Sequence, residues 1–125
     1  MTERDLDQFD ALVRAAYRKL PEEFRALCGN VVIHTAEEAE AEILAEFGMD
    51  DPLELSGLFE GIELAAAEDA PPNHVHLYRR AILAELAETP DLTLEELVTH
   101  VLVHEIGHHF GLSDDDMHAI EDAAE

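Results

Sequence analysis

The stretch from Thr93 to Gly111 constrains this chain more than any other, because both ends of a helix are written into it. Glu96 follows Thr93 by three residues, the spacing at which a threonine and a glutamate side chain satisfy each other's backbone donors at a helix start. Leu94, Leu97, Val98, Val101 and Leu102 recur in steps of three and four, so a helix begun at Leu94 turns an apolar face inward and runs to about Phe110. Gly111 supplies the left-handed exit.

The remaining segments read as a mixture of helices and short strands. Phe9, Leu12, Val13, Ala16, Tyr17 and Leu20 trace an amphipathic helix that Pro21 ends, and Pro21 in turn can open the short helix PEEFRALC. Val31, Val32 and Ile33 suit a buried strand. Thr35 and Glu38 form a second capping box, which predicts a helix over 36–47 stopped by Gly48. LFEGIEL and HVHLYRRAI read as two strands separated by the loop AEDAPPN, and DDMHAIEDA reads as a short final helix. The order predicts an α+β fold, with a small mixed or antiparallel sheet packed on helices.

With 125 residues the chain suits one domain, 1–125, and 47% hydrophobic residues suffice for a core. Thirty acidic residues against seven basic ones give a net charge of -23, which opposes nucleic acid and anionic membrane surfaces as partners. Cys28 is the single cysteine, so neither an intrachain disulfide nor a multi-cysteine zinc knuckle is available. The acidic opening MTERDLDQFD lacks an apolar core, and no run approaches the roughly 18 apolar residues of a membrane span; a cytoplasmic protein is expected.

Eight histidines are present, and several of them cluster on the helix that begins at Leu94. His104 and His108 stand four apart, so their imidazoles leave the same face one turn from each other and can share one ion, with zinc the expected metal. Glu105 is rotated by about 100° from His104, beside such an ion rather than on it, where a carboxylate can polarise water. The turn at Gly111 allows an oxygen from Asp114, Asp115 or Asp116 to return as third ligand. The pentapeptide alone is weak evidence in a chain so rich in His and Glu. Adding the glycine three residues after the second histidine, and His or Asp three beyond it, lowers the chance of coincidence to roughly one in two thousand.

HEIGHHFGLSD, residues 104–114, fits HExxHxxGxxD, the aspartate version of the metzincin zinc signature. The chain as a whole resembles the small bacterial zincin-like metallopeptidases, single domains with the motif near the C-terminus and a strand ending in a LYRR-like sequence before the motif helix. Leu77, Tyr78, Arg79 and Arg80 match that sequence. The resemblance implies a minimal zincin-like fold and a zinc peptidase acting on peptides or proteins. His104, His108 and Asp114 become the ligands and Glu105 the general base. It also implies an antiparallel edge strand above the metal, from which Tyr78, Arg79 or Arg80 could stabilise an oxyanion or grip a substrate carboxylate. Few residues follow Asp114, so the downstream methionine turn and lower subdomain of metzincins are not expected, and Met117 is not assigned that turn.

Other polar residues carry weaker signals. His118, four after Asp114, is a ligand, a partner holding Asp114, or a surface histidine. His100 shares the face of His104, and His109 stands four after Glu105. Glu121 is the third ligand only under a glutamate-type zincin arrangement. His74 and His76 alternate on one strand face as a solvent-facing pair. Two rival functions stand beside the peptidase. One is a non-catalytic zinc-binding interaction module. The other is a metal-dependent ribonuclease, since a bacterial rRNA-maturation family is similar in its HxxxHxxxxxH spacing; Asp114 in place of the last histidine and the net charge oppose it.

Overall fold

The computed structural model describes residues 3–28, 30–60 and 73–123. Two helices open the chain, α1 (Glu3–Arg18) and α2 (Glu22–Cys28), followed by strand β1 (Val31–Ala36) and the short helix α3 (Ala41–Glu46). Strands β2 (Gly57–Glu60) and β3 (Asn73–Tyr78) come next, and helices α4 (Arg79–Glu88), α5 (Leu94–His109) and α6 (Asp114–Ala123) complete the order. The sheet runs β1-β3-β2, with β1 parallel and β2 antiparallel to the central β3. Among the described residues this is a small α+β fold with a three-stranded mixed sheet.

Alternation along the strands divides the sheet into two faces. Ile33, Phe59, Val75 and Leu77 join the main core with Phe9, Val13 and Ala16 of α1 and Leu97, Val98, Leu102 and Ile106 of α5. Tyr78 belongs to a second cluster with Leu44, Leu55 and Ala81, under α3 and α4. The apolar steps of α1 and α5 therefore find the sheet as their partner, and α5 is anchored at full depth beneath β2.

The capping box of Thr93 and Glu96 is formed in both directions, and α5 ends at its C-cap Phe110. Leu112 N–H donates to the Gly107 carbonyl at 2.9 Å and Gly111 N–H to the His108 carbonyl at 3.2 Å, the paired bonds of a Schellman stop, with Gly111 at φ +72°.

Two expectations are corrected. Thr35 does not cap a helix: it lies in β1, where its hydroxyl donates to Asp10 Oδ1 at 2.7 Å, and α3 starts at Ala41 behind Glu40. The β-branched start of β1 and its parallel pairing with β3 carry the strand to Ala36, overriding a local signal worth about 1 kcal/mol. Arg79 and Arg80 are not strand residues either. They begin α4, whose helical run RRAILAELAE follows directly on β3. The rest of LFEGIEL and all but the last residue of AEDAPPN lie outside the described residues.

Cys28 ends α2 fully buried, its thiol donating to the Phe24 carbonyl at 3.2 Å. Burial pushes this thiol up to about 11 and pushes the Tyr17 phenol up as well. The folded chain thus holds the Cys28 proton more tightly than the unfolded chain does. That contribution is complete below pH 9 and fades as pH rises through about 11. Urea midpoints should therefore fall between pH 9 and 11, by less in Cys28→Ala, and thiol reagents at pH 8 should label the native chain far more slowly than the unfolded one.

Candidate metal centre

Helical periodicity sets His100, His104 and His108 one turn apart on one face of α5. The rings of His100 and His104 lie 3.9 Å apart between centroids, and those of His104 and His108 lie 5.7 Å apart at 87°. Across this row runs α6, docked through Met117, which is fully buried. A Cβ on Gly107 would stand 2.6 Å from Met117 Sδ, so glycine at this place in the motif is what lets α6 approach. Ser113 starts α6 by accepting from the Asp116 N–H at 3.1 Å.

Docked this way, α6 carries His118 and Glu121 over the histidine row. His100 Nδ1 donates to Glu121 Oε1 at 2.6 Å, and Glu121 Oε2 lies 3.9 Å from His104 Nε2 and 3.7 Å from His118 Nδ1. His104 Nε2 is a buried nitrogen with no hydrogen-bond partner. Burial, followed by the neighbouring His100 ring, pulls the His104 pKa down, with Glu121 opposing. A neutral imidazole with an uncommitted, buried nitrogen beside a carboxylate suits a divalent cation of the borderline class to which zinc belongs. Among the described residues, His100, His104 and Glu121 form a group whose donor atoms all lie within 4.8 Å of one another.

Glu105 leaves α5 toward the sheet. A Cβ on Gly57 of β2 would come within 3.2 Å of Glu105 Cγ, so the glycine leaves room for this carboxylate beneath the edge strand. Burial raises the Glu105 pKa, with the His108 charge opposing.

The structure brings together only part of the ligand set read from the motif. His104 and His108 are adjacent, but His108 is exposed. Asp114 is an exposed residue of the first turn of α6, and the carboxylate brought to His104 is Glu121, two turns further along. His118 touches Glu121 rather than Asp114. His109 turns its ring edge-on to Phe59 at 4.7 Å, in the core-facing direction.

Tyr78 lies in the second core cluster, on the sheet face opposite α5, and Arg79 pairs with Glu37 at 3.4 Å while Arg80 pairs with Glu38 at 2.9 Å. Among the described residues, the strand with the LYRR-like ending is the central strand, and the antiparallel edge strand beside Glu105 is β2. Glu121 has only a conditional place in the sequence, and the structure sets it beside His104. Its signal was the spacing Met117, Ile120, Glu121 with His118, which on a helix sets Glu121 beside the face that docks.

A family model described as zincin-like metallopeptidase matches residues 28–124. The chain belongs to this family. The match runs from the end of α2 through the sheet to α6, so it takes in the whole histidine and carboxylate cluster. Family membership implies a metal, typically zinc, and suggests a hydrolase acting on peptide bonds. No curated protein matches the chain. No helix among the described residues is long and apolar enough to cross a membrane.

Proposed function

We propose that the chain is a zinc-dependent metallopeptidase whose centre lies at the α5–α6 contact, with Glu105 as general base. The observation that carries this reading is His104 Nε2, buried and without a hydrogen-bond partner among imidazoles and a carboxylate. Bound zinc supplies Lewis acidity and lowers the pKa of water toward 7. Glu105, its pKa already raised by burial, takes the proton from the attacking water at a carboxylate oxygen and returns it to the departing amine nitrogen. His104 fixes the position of that chemistry, and β2, an edge strand among the described residues, can take an extended peptide as a further strand.

Two donor sets share His104. Motif spacing supports His104, His108 and Asp114. Proximity favours His100, His104 and Glu121. Zinc titrations of Asp114→Asn and Glu121→Gln separate them: the variant that lacks the true oxygen donor should bind zinc at least about tenfold more weakly, since even the loss of an outer partner costs that much. His104→Ala should lose the centre in either case.

The substrate is expected to be a neutral or basic peptide or protein. Beside the centre a groove of about 820 Å³ is lined by Glu95, Glu96, His100, Glu121 and Asp122 against one basic residue, Lys19, within a chain of net charge -23. A peptide library digested at low salt should be cut faster at basic sequences, and the preference should shrink as salt screens the field. Faster cleavage of acidic peptides would refute it. Zinc bound at one centre with no cleavage anywhere in the library would overturn the peptidase reading in favour of a zinc-binding interaction module.

A further inference from the structure

The outward face of the sheet holds a second group of histidines, remote from α5. Register places His34 of β1 beside His76 of β3, and Glu60 of β2 beside His74. All four side chains share the face opposite Ile33, Phe59, Val75 and Leu77, which fill the main core. The sequence showed only the alternating pair His74 and His76; His34 enters through the parallel pairing of β1 with β3, which joins residues 42 positions apart.

The contacts are close. His34 Nε2 and His74 Nδ1 are 2.9 Å apart, and His76 Nε2 lies 3.3 Å from Glu60 Oε1. The His34 and His76 rings stack at 4.6 Å with planes 13° apart, and those of His34 and His74 lie 5.1 Å apart.

We propose that His34, His74, His76 and Glu60 form a second metal site, selective for a late first-row divalent transition ion such as Zn²⁺, Ni²⁺ or Cu²⁺. Donors bound to zinc at 2.0–2.1 Å in a tetrahedron stand about 3.3 Å apart. The His76–Glu60 pair already has this separation, and the His34–His74 pair is slightly tighter, held by one shared proton that an ion would replace. Closing the two pairs on one ion requires His34 and Glu60 to rotate their side chains, and both are exposed. Three imidazoles favour these ions over Mg²⁺ and Ca²⁺, which prefer oxygen.

The test is ion stoichiometry in the full chain, by calorimetric titration with Zn²⁺ and by Cu²⁺ electron paramagnetic resonance. The expected result is one tight site that survives His104→Ala together with Glu121→Gln, and weakens at least about tenfold in His34→Asn together with His76→Gln. Cu²⁺ in the first of these variants should show coupling to several nitrogens. The side chains of both pairs face solvent in part, and circular dichroism of each variant checks that it is folded. If the α5–α6 centre also binds, the unmutated chain takes two ions. Failure of that centre alone leaves one ion, lost only with the sheet substitutions, and the proposal stands. Stoichiometry and affinity unchanged by His34→Asn with His76→Gln, or no binding once His104 and Glu121 are replaced, would overturn it.

Discussion

Replacing Glu105 by Gln should lower peptide hydrolysis by at least about a hundredfold while leaving zinc affinity nearly unchanged, because general base catalysis of this kind contributes about 10²–10⁴ in rate. The two readouts diverge for a structural reason. Glu105 points toward Gly57 and the sheet, whereas His104 points toward His100 and Glu121, so the carboxamide removes a proton acceptor and no metal donor. Gln preserves the volume of a side chain that is wedged beneath β2, so folding should be retained. The comparison with Asp is also informative: Glu105→Asp keeps the base but retracts it by one methylene, and should lose activity without losing zinc. Full activity in Glu105→Gln would show that another group takes the proton.

What could be read from the sequence follows from how local each signal is. The helix at 94–109 was legible at both ends because its cap and its stop are local chemistry: Thr93 and Glu96 bond within one turn, and Gly111 adopts a backbone angle that other residues resist. The motif on it is legible for the same reason, since His104, Glu105 and His108 are related by helix geometry alone. Misreadings arose where tertiary pairing decides. Thr35 and Glu38 have the spacing of a cap, but the parallel ladder of β1 on β3 claims Thr35. Arg79 and Arg80 read as continuous with the strand, yet β3 ends at Tyr78 and α4 begins at Arg79, which turns the LYRR sequence into a strand-to-helix junction tied to Glu37 and Glu38. The carboxylate at His104 depends on how α6 lies on α5. No periodicity within either helix fixes that angle, which is why the sequence names Glu121 but only the three-dimensional arrangement sets it beside His104.

The angle of α6 is also where the largest stability effect is expected. Gly107→Ala should destabilise the fold by about 1–3 kcal/mol, the usual cost of forcing extra volume into a packed contact. The new Cβ would stand 2.6 Å from Met117 Sδ and 2.9 Å from Met117 Cγ, in a core where Met117 is fully buried. Alanine is otherwise the better helix former by about 1 kcal/mol, so a net loss would isolate the steric term. Relief requires Met117 to move, and Met117 shares α6 with His118 and Glu121; the substitution should therefore weaken zinc binding as well as lower the melting temperature. Gly111→Ala provides the control. No atom lies within 4 Å of its added Cβ, and its φ of +72° makes the cost purely conformational, about 1–2 kcal/mol. A zinc affinity that falls in Gly107→Ala but holds in Gly111→Ala, at matched loss of stability, would place the α5–α6 contact in the metal centre. Equal zinc affinity in the two would detach α6 from it and return the oxygen donor to residues of the turn.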